Sequence, residues 1–290
     1  MENIPPSIDA RESPSPPRCA YLGPAGTYTE EAAVAYSTDS TLIPYTTIQK
    51  LAQAVRNGEV DWAITPIENS LQGSVTDTLD VLIHTDGTHI FDELVLPIVH
   101  HLMAKPGTTI GEAETIYSHP QALGQCQEYL TEQLPRADQR ASLSTSAGVE
   151  EMLNDPRPAV AIAPGRAADI YGAAILAKGI QDNPNNATRF LVLAQYDHAP
   201  TGKDKTSICF SFSDDRPGLL YKVMKEMADK NINLSKVESR PTREGLGQYF
   251  FLIDLEGHKE NSSVRDVLVT VKSLSSMFKI FGSYPQFSAY

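Results

Sequence analysis

The sequence has little of what marks several large classes of protein. Its 290 residues include three cysteines, Cys19, Cys126 and Cys209, which are odd in number and far apart. This pattern indicates neither a disulfide framework nor a zinc cluster. No apolar run approaches the roughly 18 residues that a membrane-spanning helix needs. The glycine-containing turn at residues 23–26 has no Gly-Lys-Ser/Thr ending and no G-x-G-x-x-G pattern, so it does not predict a nucleotide-binding loop.

Positive charge is also scarce. Lys and Arg number 24 against 36 Asp and Glu, which gives a net charge of -12 and a pI of about 5.0. This balance argues against nucleic acid or an anionic membrane as a partner. Residues 1–17 lack the apolar core of a signal peptide and the Arg-rich, acid-poor composition of a transit peptide. We therefore expect a disordered tail and a cytoplasmic protein.

The chain does contain a regular alternation of short strand-like and helix-like runs up to about residue 200. Such alternation predicts an α/β fold with largely parallel sheets, in which ligands gather at the carboxyl ends of strands. Residues 89–104 read as an extended run that crosses between two lobes, and residues 120–133 as one helix. After a polar linker at 197–204 the order becomes βαββαβ, which predicts a ferredoxin-like small domain. We place the boundary near residue 201.

Residues 186–190, Asn-Ala-Thr-Arg-Phe, form the most informative stretch. They bring an amide, a hydroxyl and a guanidinium to the start of an expected strand. Arg189 is suited to bind a carboxylate through two hydrogen bonds, and Thr188 can donate or accept one on the same ligand. The alternative is an ordinary strand start with a surface arginine.

Four further polar clusters fall at expected strand ends or helix starts, at residues 23–30, 66–70, 118–125 and 142–148. Capping and turn formation can explain each cluster separately, and we expect His119 to be structural. No acidic residue lies beside His119, which disfavours a Ser-His-Asp hydrolase. Together the clusters supply neutral donors around one Arg and one Glu, without a metal-ligand set or a cofactor fingerprint. This suits a small dicarboxylate, whether the protein binds it or converts it.

Four of the five stretches form an ordered set of motifs: Gly-Pro-Ala-Gly-Thr-Tyr at 23–28, Pro-Ile-Glu-Asn-Ser at 66–70, Ser-His-Pro-Gln-Ala-Leu at 118–123 with Gln125, and Asn-Ala-Thr-Arg-Phe at 186–190. In this order they resemble the prephenate dehydratases. Asp-Arg-Pro-Gly-Leu-Leu at 215–220 and Glu-Ser-Arg-Pro at 238–241 resemble the ACT regulatory domain that is fused to that enzyme. The resemblance covers residues 19 to about 285.

The resemblance implies a fold and a reaction. The catalytic domain, residues 18–200, would have two lobes similar to the type II periplasmic binding fold, 18–96 plus 185–198 and 97–184. The ACT domain would occupy residues 201–290. Prephenate would lose water and carbon dioxide to give phenylpyruvate, in phenylalanine biosynthesis, without a cofactor or a metal.

The resemblance also implies roles for the site residues. Thr188 would donate a hydrogen bond to the departing ring hydroxyl, because a neutral threonine is too weak an acid to protonate it outright. Glu68 is the candidate acid, and Asn69 completes the catalytic set. Arg189 would hold the pyruvyl carboxylate. The expected substrate-binding residues are Thr27, Ser70, Ser118, Gln121, Gln125, Thr145, Ser146, Arg189 and Phe190.

By the same resemblance, phenylalanine would bind between paired ACT domains and inhibit the distant cleft, so we expect a homodimer or a homotetramer. The expected effector-binding residues are Asp215, Pro217, Gly218, Leu219, Leu220, Glu238, Ser239, Arg240 and Pro241. Leu219 is bulkier than the alanine of the family pattern.

Two other functions remain open. Arogenate dehydratase differs only in the substrate's amino group, and one sequence does not separate the two. A non-enzymatic sensor for solutes or amino acids is disfavoured by the lack of a signal peptide and by the presence of Thr188, Glu68 and Asn69. Because the tail is short, we expect the monofunctional form, without a chorismate mutase-like region.

Overall fold

The computed structural model describes residues 16–214, 216–243, 245 and 247–287. Most of the expected tail (1–17) and Asp215 therefore lie outside the described residues. These residues form three sheets, two in a two-lobed region and one in a C-terminal domain. Among them, no helix is long and apolar enough to cross a membrane.

The strands are, in chain order, β1 (Arg18–Leu22), β2 (Thr41–Tyr45), β3 (Trp62–Asn69), β4 (Gly73–Ser74), β5 (His89–Pro97), β6 (His101–Ala104), β7 (Thr115–Ser118), β8 (Asp138–Ala141), β9 (Ala159–Ala163), β10 (Ala174–Ala177), β11 (Ala187–Ala194), β12 (Asp204–Ser211), β13 (Leu234–Pro241), β14 (Tyr249–Glu256) and β15 (Met277–Pro285). The α-helices are α1 (Tyr28–Tyr36), α2 (Ile48–Arg56), α3 (Thr76–His84), α4 (Pro120–Gly124), α5 (Gln127–Gln133), α6 (Thr145–Asn154), α7 (Gly165–Tyr171), α8 (Leu219–Asp229) and α9 (Ser262–Leu274).

The first lobe is built on a sheet of order β2-β1-β3-β11-β5, and β4 pairs with β3. β1, β2 and β3 run parallel, whereas β11 is antiparallel to β3 and β5. The sheet of the second lobe has the order β10-β6-β9-β7-β8. The chain leaves the first lobe after β5 and returns as β11, so residues 89–104 do cross between sheets. The predicted two-lobed α/β fold is confirmed. The prediction of largely parallel sheets was wrong, because β11 is antiparallel to β3 and β5, and β6 is antiparallel to β9 and β10.

The C-terminal domain has the predicted βαββαβ order, with strands in the order β13-β14-β12-β15. α8 and α9 pack on one face of this sheet. The other face packs on the first lobe, where Cys209, Leu252 and Tyr284 share one core with Leu79 and Leu191. Fully burying a side chain such as leucine contributes about 1.5–3 kcal/mol, so this shared core holds the two domains together.

The prediction of one helix over residues 120–133 was wrong, because α4 and α5 are separate. Cys126 has φ -124° and ψ 20°, outside the helical region. The carbonyl of Gln125 accepts from the backbone N–H of Asp182 at 2.8 Å instead of continuing the helix. The break places Gln125 at the end of a five-residue helix, between the two lobes.

Candidate active site

A cavity of about 440 Å³ lies between the two lobes, a volume that suits a small-molecule ligand. Both lobes contribute to its lining. Six predicted site residues line it: Asn69, Gln121, Gln125, Thr145, Thr188 and Phe190. Tyr28 and Thr29 also line it, so the structure brings together residues from all five polar stretches of the sequence.

The pairing of β3 with β11 decides which side chains reach the cavity. Thr188 lies opposite Asn69, and Arg189 lies opposite Glu68. Successive side chains of a strand point to opposite faces of the sheet. Thr188 and Asn69 therefore share the face that lines the cavity, while Arg189 and Glu68 share the face toward the C-terminal domain.

The hydrogen bonds of Asn69 determine that the Thr188 hydroxyl accepts a hydrogen bond from its side chain. Asn69 Oδ1 accepts from the backbone N–H groups of Leu71 (3.0 Å) and Gln72 (3.2 Å). Its Nδ2 must therefore face the other way, where it donates to Thr188 Oγ1 at 2.9 Å. Because Thr188 accepts this bond, its own hydroxyl hydrogen remains for a ligand in the cavity.

A second amide network continues from Asn69. Asn69 Nδ2 also donates to Asn186 Oδ1 at 2.8 Å, and Asn186 Nδ2 donates to Gln125 Oε1 at 2.9 Å. Gln125 Nε2 is buried and has no hydrogen-bond partner among the residues that the structure describes. A buried donor without a partner costs free energy, so this atom is a candidate ligand contact.

The amino terminus of α6 adds backbone donors. Ser144 caps this helix by accepting from the Ala147 N–H at 3.0 Å. The first-turn N–H groups of Thr145 and Ser146 have no acceptor within the helix, and such groups attract anions. Thr145 lines the cavity, so an anionic ligand can lie against this helix end.

The cavity lining carries no formal charge at neutral pH. Among the described residues, it contains no Asp, Glu, Lys or Arg, and its two histidines are His100 and His119. Burial lowers the pKa of both rings, which keeps them neutral. Within the described part of the chain, no cluster of three or more His, Cys, Asp or Glu side chains could hold a metal ion.

Four predicted substrate ligands support the cleft instead of lining it. Thr27 caps α1 and donates to the carbonyls of Leu22 (3.2 Å) and Pro24 (3.0 Å). Ser118 is fully buried and donates to the Ile162 carbonyl at 2.6 Å. The other two also lie outside the lining: Ser70 accepts from the Ala187 N–H at 3.0 Å, and the Ser146 hydroxyl is buried in α6.

Arg189 and Glu68 also need correction, because strand alternation turns both away from the cavity. Arg189 binds Glu93 at 2.6 Å, Asp254 at 2.7 Å and the Tyr284 hydroxyl at 2.9 Å. Glu68 lies 3.1 Å from Lys236 Nζ and is 39% exposed. Arg189 belongs to the first lobe, and in this structure it binds the C-terminal domain through Asp254 and Tyr284. Glu68 contacts the same domain through Lys236.

A second cavity, of about 460 Å³, lies in the C-terminal domain. Its lining includes the predicted residues Gly218, Leu219 and Leu220, along with aromatic Phe251. Gly218 precedes α8 with φ +88°, a conformation that glycine adopts without strain. Among the predicted effector residues, Pro217, Glu238, Ser239, Arg240 and Pro241 are not part of this lining.

Glu238 and Arg240 point to the first lobe instead. Glu238 accepts from the Ser74 hydroxyl at 2.5 Å, and Lys236 donates to the same hydroxyl at 2.7 Å. Arg240 donates to Asp80 on α3 at 2.9 Å. Since Ser74 lines the first cavity, β13 holds part of the wall of the candidate active site.

Several lining residues were missed by the sequence analysis, among them Tyr28, Gln72, Ser74 and His100. Tyr28 was read only as part of a turn motif, and His100 lies in the extended run that joins the lobes. The available signal was position: residues at a crossing between two lobes face the cleft that the lobes enclose.

Replacement of Arg189 by Met tests its docking role. The change would leave Asp254 and Glu93, both largely buried, without the guanidinium. We expect the free energy of unfolding to fall by about 3–5 kcal/mol, measured by urea denaturation. The control Arg18→Met removes a half-exposed pair with Asp61 and should cost less than about 1 kcal/mol. Unchanged stability with lost ligand affinity would instead restore the carboxylate-binding role.

Comparison with known proteins gives a separate family match for each of the two domains. The family model "Prephenate dehydratase" matches residues 19–198, and the model "ACT domain" matches residues 208–272. The bifunctional chorismate mutase/prephenate dehydratase of Aquifex aeolicus is 40% identical over 93% of this chain and 74% of the relative. The prephenate dehydratase of Lactococcus lactis subsp. cremoris is 38% identical over 93% of this chain and 98% of the relative.

One similar solved structure is also a prephenate dehydratase, and another has a different described activity. Prephenate dehydratase from Arthrobacter aurescens, in complex with L-Phe, is 37% identical with a TM-score of 0.86, covering 93% of this chain and 90% of that one. GqqA, described as a novel type of quorum quenching acylase, is 28% identical with a TM-score of 0.84 over 93% of this chain and 98% of its own.

Proposed function

The chain belongs to the prephenate dehydratase family, a family of lyases, and we propose that its cleft converts prephenate to phenylpyruvate. The observation that supports this most directly is the Thr188 hydroxyl. Asn69 occupies its acceptor side, so its hydrogen is available to an oxygen atom in the cleft. The departing ring hydroxyl of prephenate is such an atom.

The reaction needs little from the protein beyond this donor. The bond between the ring and its carboxylate breaks, and the electron pair completes the aromatic ring as the ring–hydroxyl bond breaks. Carbon dioxide leaves, and the hydroxyl leaves as water after gaining one proton. Thr188 stabilises the negative charge that builds on this oxygen. Since Glu68 lies on the other face of the sheet, we assign the proton to a water molecule in the cleft, and the hydroxide that remains takes up a proton from bulk solvent.

The uncharged lining suits a substrate whose ring carboxylate becomes neutral carbon dioxide during the reaction. Neutral donors, namely Gln125, Gln121 and the amino terminus of α6, would hold the pyruvyl carboxylate. No lysine or arginine among the described lining residues pairs with the ring carboxylate, so its negative charge is not stabilised before it becomes neutral carbon dioxide.

The same lining favours prephenate over arogenate. Arogenate carries an ammonium group where prephenate has a keto group. A buried ammonium needs a carboxylate partner, and the described lining residues include none. A keto oxygen needs only a donor, which Gln121 or Gln125 can supply.

The Ser144 and Thr188 hydroxyls of this cleft give no support to the acylase activity attributed to GqqA. Amide hydrolysis needs a nucleophile that a base can deprotonate. Ser144 Oγ accepts from a backbone N–H, and Thr188 Oγ1 accepts from Asn69. Neither hydroxyl has a histidine or carboxylate partner among the described residues.

Regulation by phenylalanine fits the second cavity. Its aromatic lining suits a phenyl ring, and the solved relative from Arthrobacter aurescens is a complex with L-Phe. We propose that the signal reaches the cleft through β13, because Lys236 and Glu238 both bind Ser74 in the cleft wall. Coupling requires that phenylalanine bind two states of this contact with different affinity.

Pairing of ACT domains would complete this arrangement. β13 is one of the two edge strands of its sheet, and an edge strand can pair with a second copy. Val237 (46% exposed), Tyr249 (44%) and Tyr221 (67%) lie near this edge and the second cavity. We propose a homodimer, or a homotetramer, through this surface.

A reducing, cytoplasmic location fits the thiols. All three cysteines are free and buried. Burial raises the pKa of each to about 12, so none is poised to react.

Replacement of Thr188 by Val tests the proposed donor. The substitution keeps the shape but removes the hydroxyl, so kcat for phenylpyruvate formation from prephenate should fall about 100- to 1000-fold. KM should change by only a few fold, because the donor acts on the transition state. Thr188→Ser, which keeps the hydroxyl, should retain most activity. A Thr188→Val enzyme with near wild-type kcat would refute this role.

Replacement of Arg240 by Met separates signal transmission from effector binding. Its ion pair with Asp80 links the domains outside both cavities. We expect inhibition by phenylalanine to weaken at least about fivefold, with phenylalanine affinity and basal turnover nearly unchanged. Calorimetry and inhibition assays measure the two effects. A tenfold loss of phenylalanine affinity would return Arg240 to the effector site.

A further inference from the structure

Gln125 supplies the cleft with a donor only while its side-chain amide keeps one orientation. Rotation by 180° would exchange Nε2 and Oε1 and present an acceptor to the ligand. Oε1 accepts two hydrogen bonds, from Asn186 Nδ2 at 2.9 Å and from His100 Nε2 at 2.8 Å. These two donors decide what Gln125 offers to the cleft.

The orientation of Asn186 follows from the backbone. The N–H groups of Leu71 and Gln72 bind Asn69 Oδ1, so Asn69 Nδ2 donates to Asn186 Oδ1. Asn186 Nδ2 must then point to Gln125, which can accept only through Oε1. The Nε2 group is left facing away from both partners, buried and without an acceptor in the described part of the chain.

His100 is compatible with this arrangement in one neutral form. Its Nε2 must carry the hydrogen in order to donate to Gln125 Oε1. Nδ1 is then an acceptor, and the Tyr28 hydroxyl lies 2.8 Å from it. The same hydroxyl lies 2.8 Å from the Val99 carbonyl, but donation there would leave two lone pairs facing each other at Nδ1. The backbone N–H of His100, 3.0 Å from Gln181 Oε1, anchors the residue between the lobes.

We propose that His100, fixed by Tyr28, is a positioning residue for the dehydratase reaction. It locks the Gln125 carboxamide so that Nε2 donates to a carboxylate oxygen of prephenate. This inference rests on the proposed function. Because the cleft is uncharged, it must hold the prephenate dianion with oriented dipoles. An inverted Gln125 amide would present an oxygen to the carboxylate instead of an N–H group.

The kinetic test uses a double-mutant cycle on the full-length chain. His100→Leu should raise KM for prephenate and lower kcat/KM by about 10- to 100-fold. His100→Gln, which can place an N–H near the former Nε2, should recover most of this loss. In a Gln125→Met background, His100→Leu should have little further effect, because His100 acts through Gln125. Fully additive losses would overturn the proposal.

Two controls separate positioning from loss of structure. His101→Leu changes the next residue, whose Nδ1 accepts from Gly179 at 3.3 Å outside the cleft lining, and should leave kcat/KM unchanged. Urea denaturation should show that His100→Leu, alone and in the Gln125→Met background, remains fully folded under the assay conditions. If His101→Leu were as damaging as His100→Leu, the effect would not belong to the Gln125 contact.

A spectroscopic measurement is independent of turnover. The ¹⁵N chemical shifts of histidine-labelled protein at pH 7.5 distinguish the Nε2–H form from the Nδ1–H form. We expect His100 to be the neutral Nε2–H form and to lose this preference in Tyr28→Phe. A dominant Nδ1–H form in the unsubstituted protein would overturn the inference even if dehydratase activity is present. The expected form in a protein without activity would leave the positioning geometry intact and reject the proposed function.

Discussion

The antiparallel pairing of β3 with β11 is the constraint on which the rest of the molecule depends. One step of the ladder places Asn69 opposite Thr188 on the cleft face, and the next places Glu68 opposite Arg189 on the docking face. The candidate catalytic hydroxyl and the main ion-pair anchor of the ACT domain are therefore neighbours in sequence. Any shift of this strand pair changes both faces together.

The two faces of this strand pair differ in charge and in what they bind. The docking face is charged, and its buried guanidinium is held by Glu93 and Asp254, so the domain orientation is specified by groups that cannot be left unpaired. The cleft face is neutral, and its amides are oriented by a hydrogen-bond chain that starts at backbone N–H groups. Aromatisation drives the reaction, so orientation is the main contribution that the protein needs to make.

Much of the fold could be predicted from the sequence, because alternating runs and turn residues report directly on strands and helices. The βαββαβ order of the C-terminal domain was predicted correctly. Strand alternation should also have separated Thr188 from Arg189, since adjacent residues of a strand cannot face one cleft. The helix break at Cys126 and the burial of Ser118 could not be predicted, because each depends on contacts between elements distant in sequence.

The most direct measurement is the ratio of kcat/KM for prephenate and arogenate, with purified full-length protein. Formation of phenylpyruvate from prephenate and of phenylalanine from arogenate would be followed separately. Because the described cleft lining has no carboxylate to pair with an ammonium group, prephenate should be preferred by at least about tenfold. An equal or greater value for arogenate would contradict the neutral-cleft mechanism. Tight binding of prephenate without turnover would make the protein a sensor.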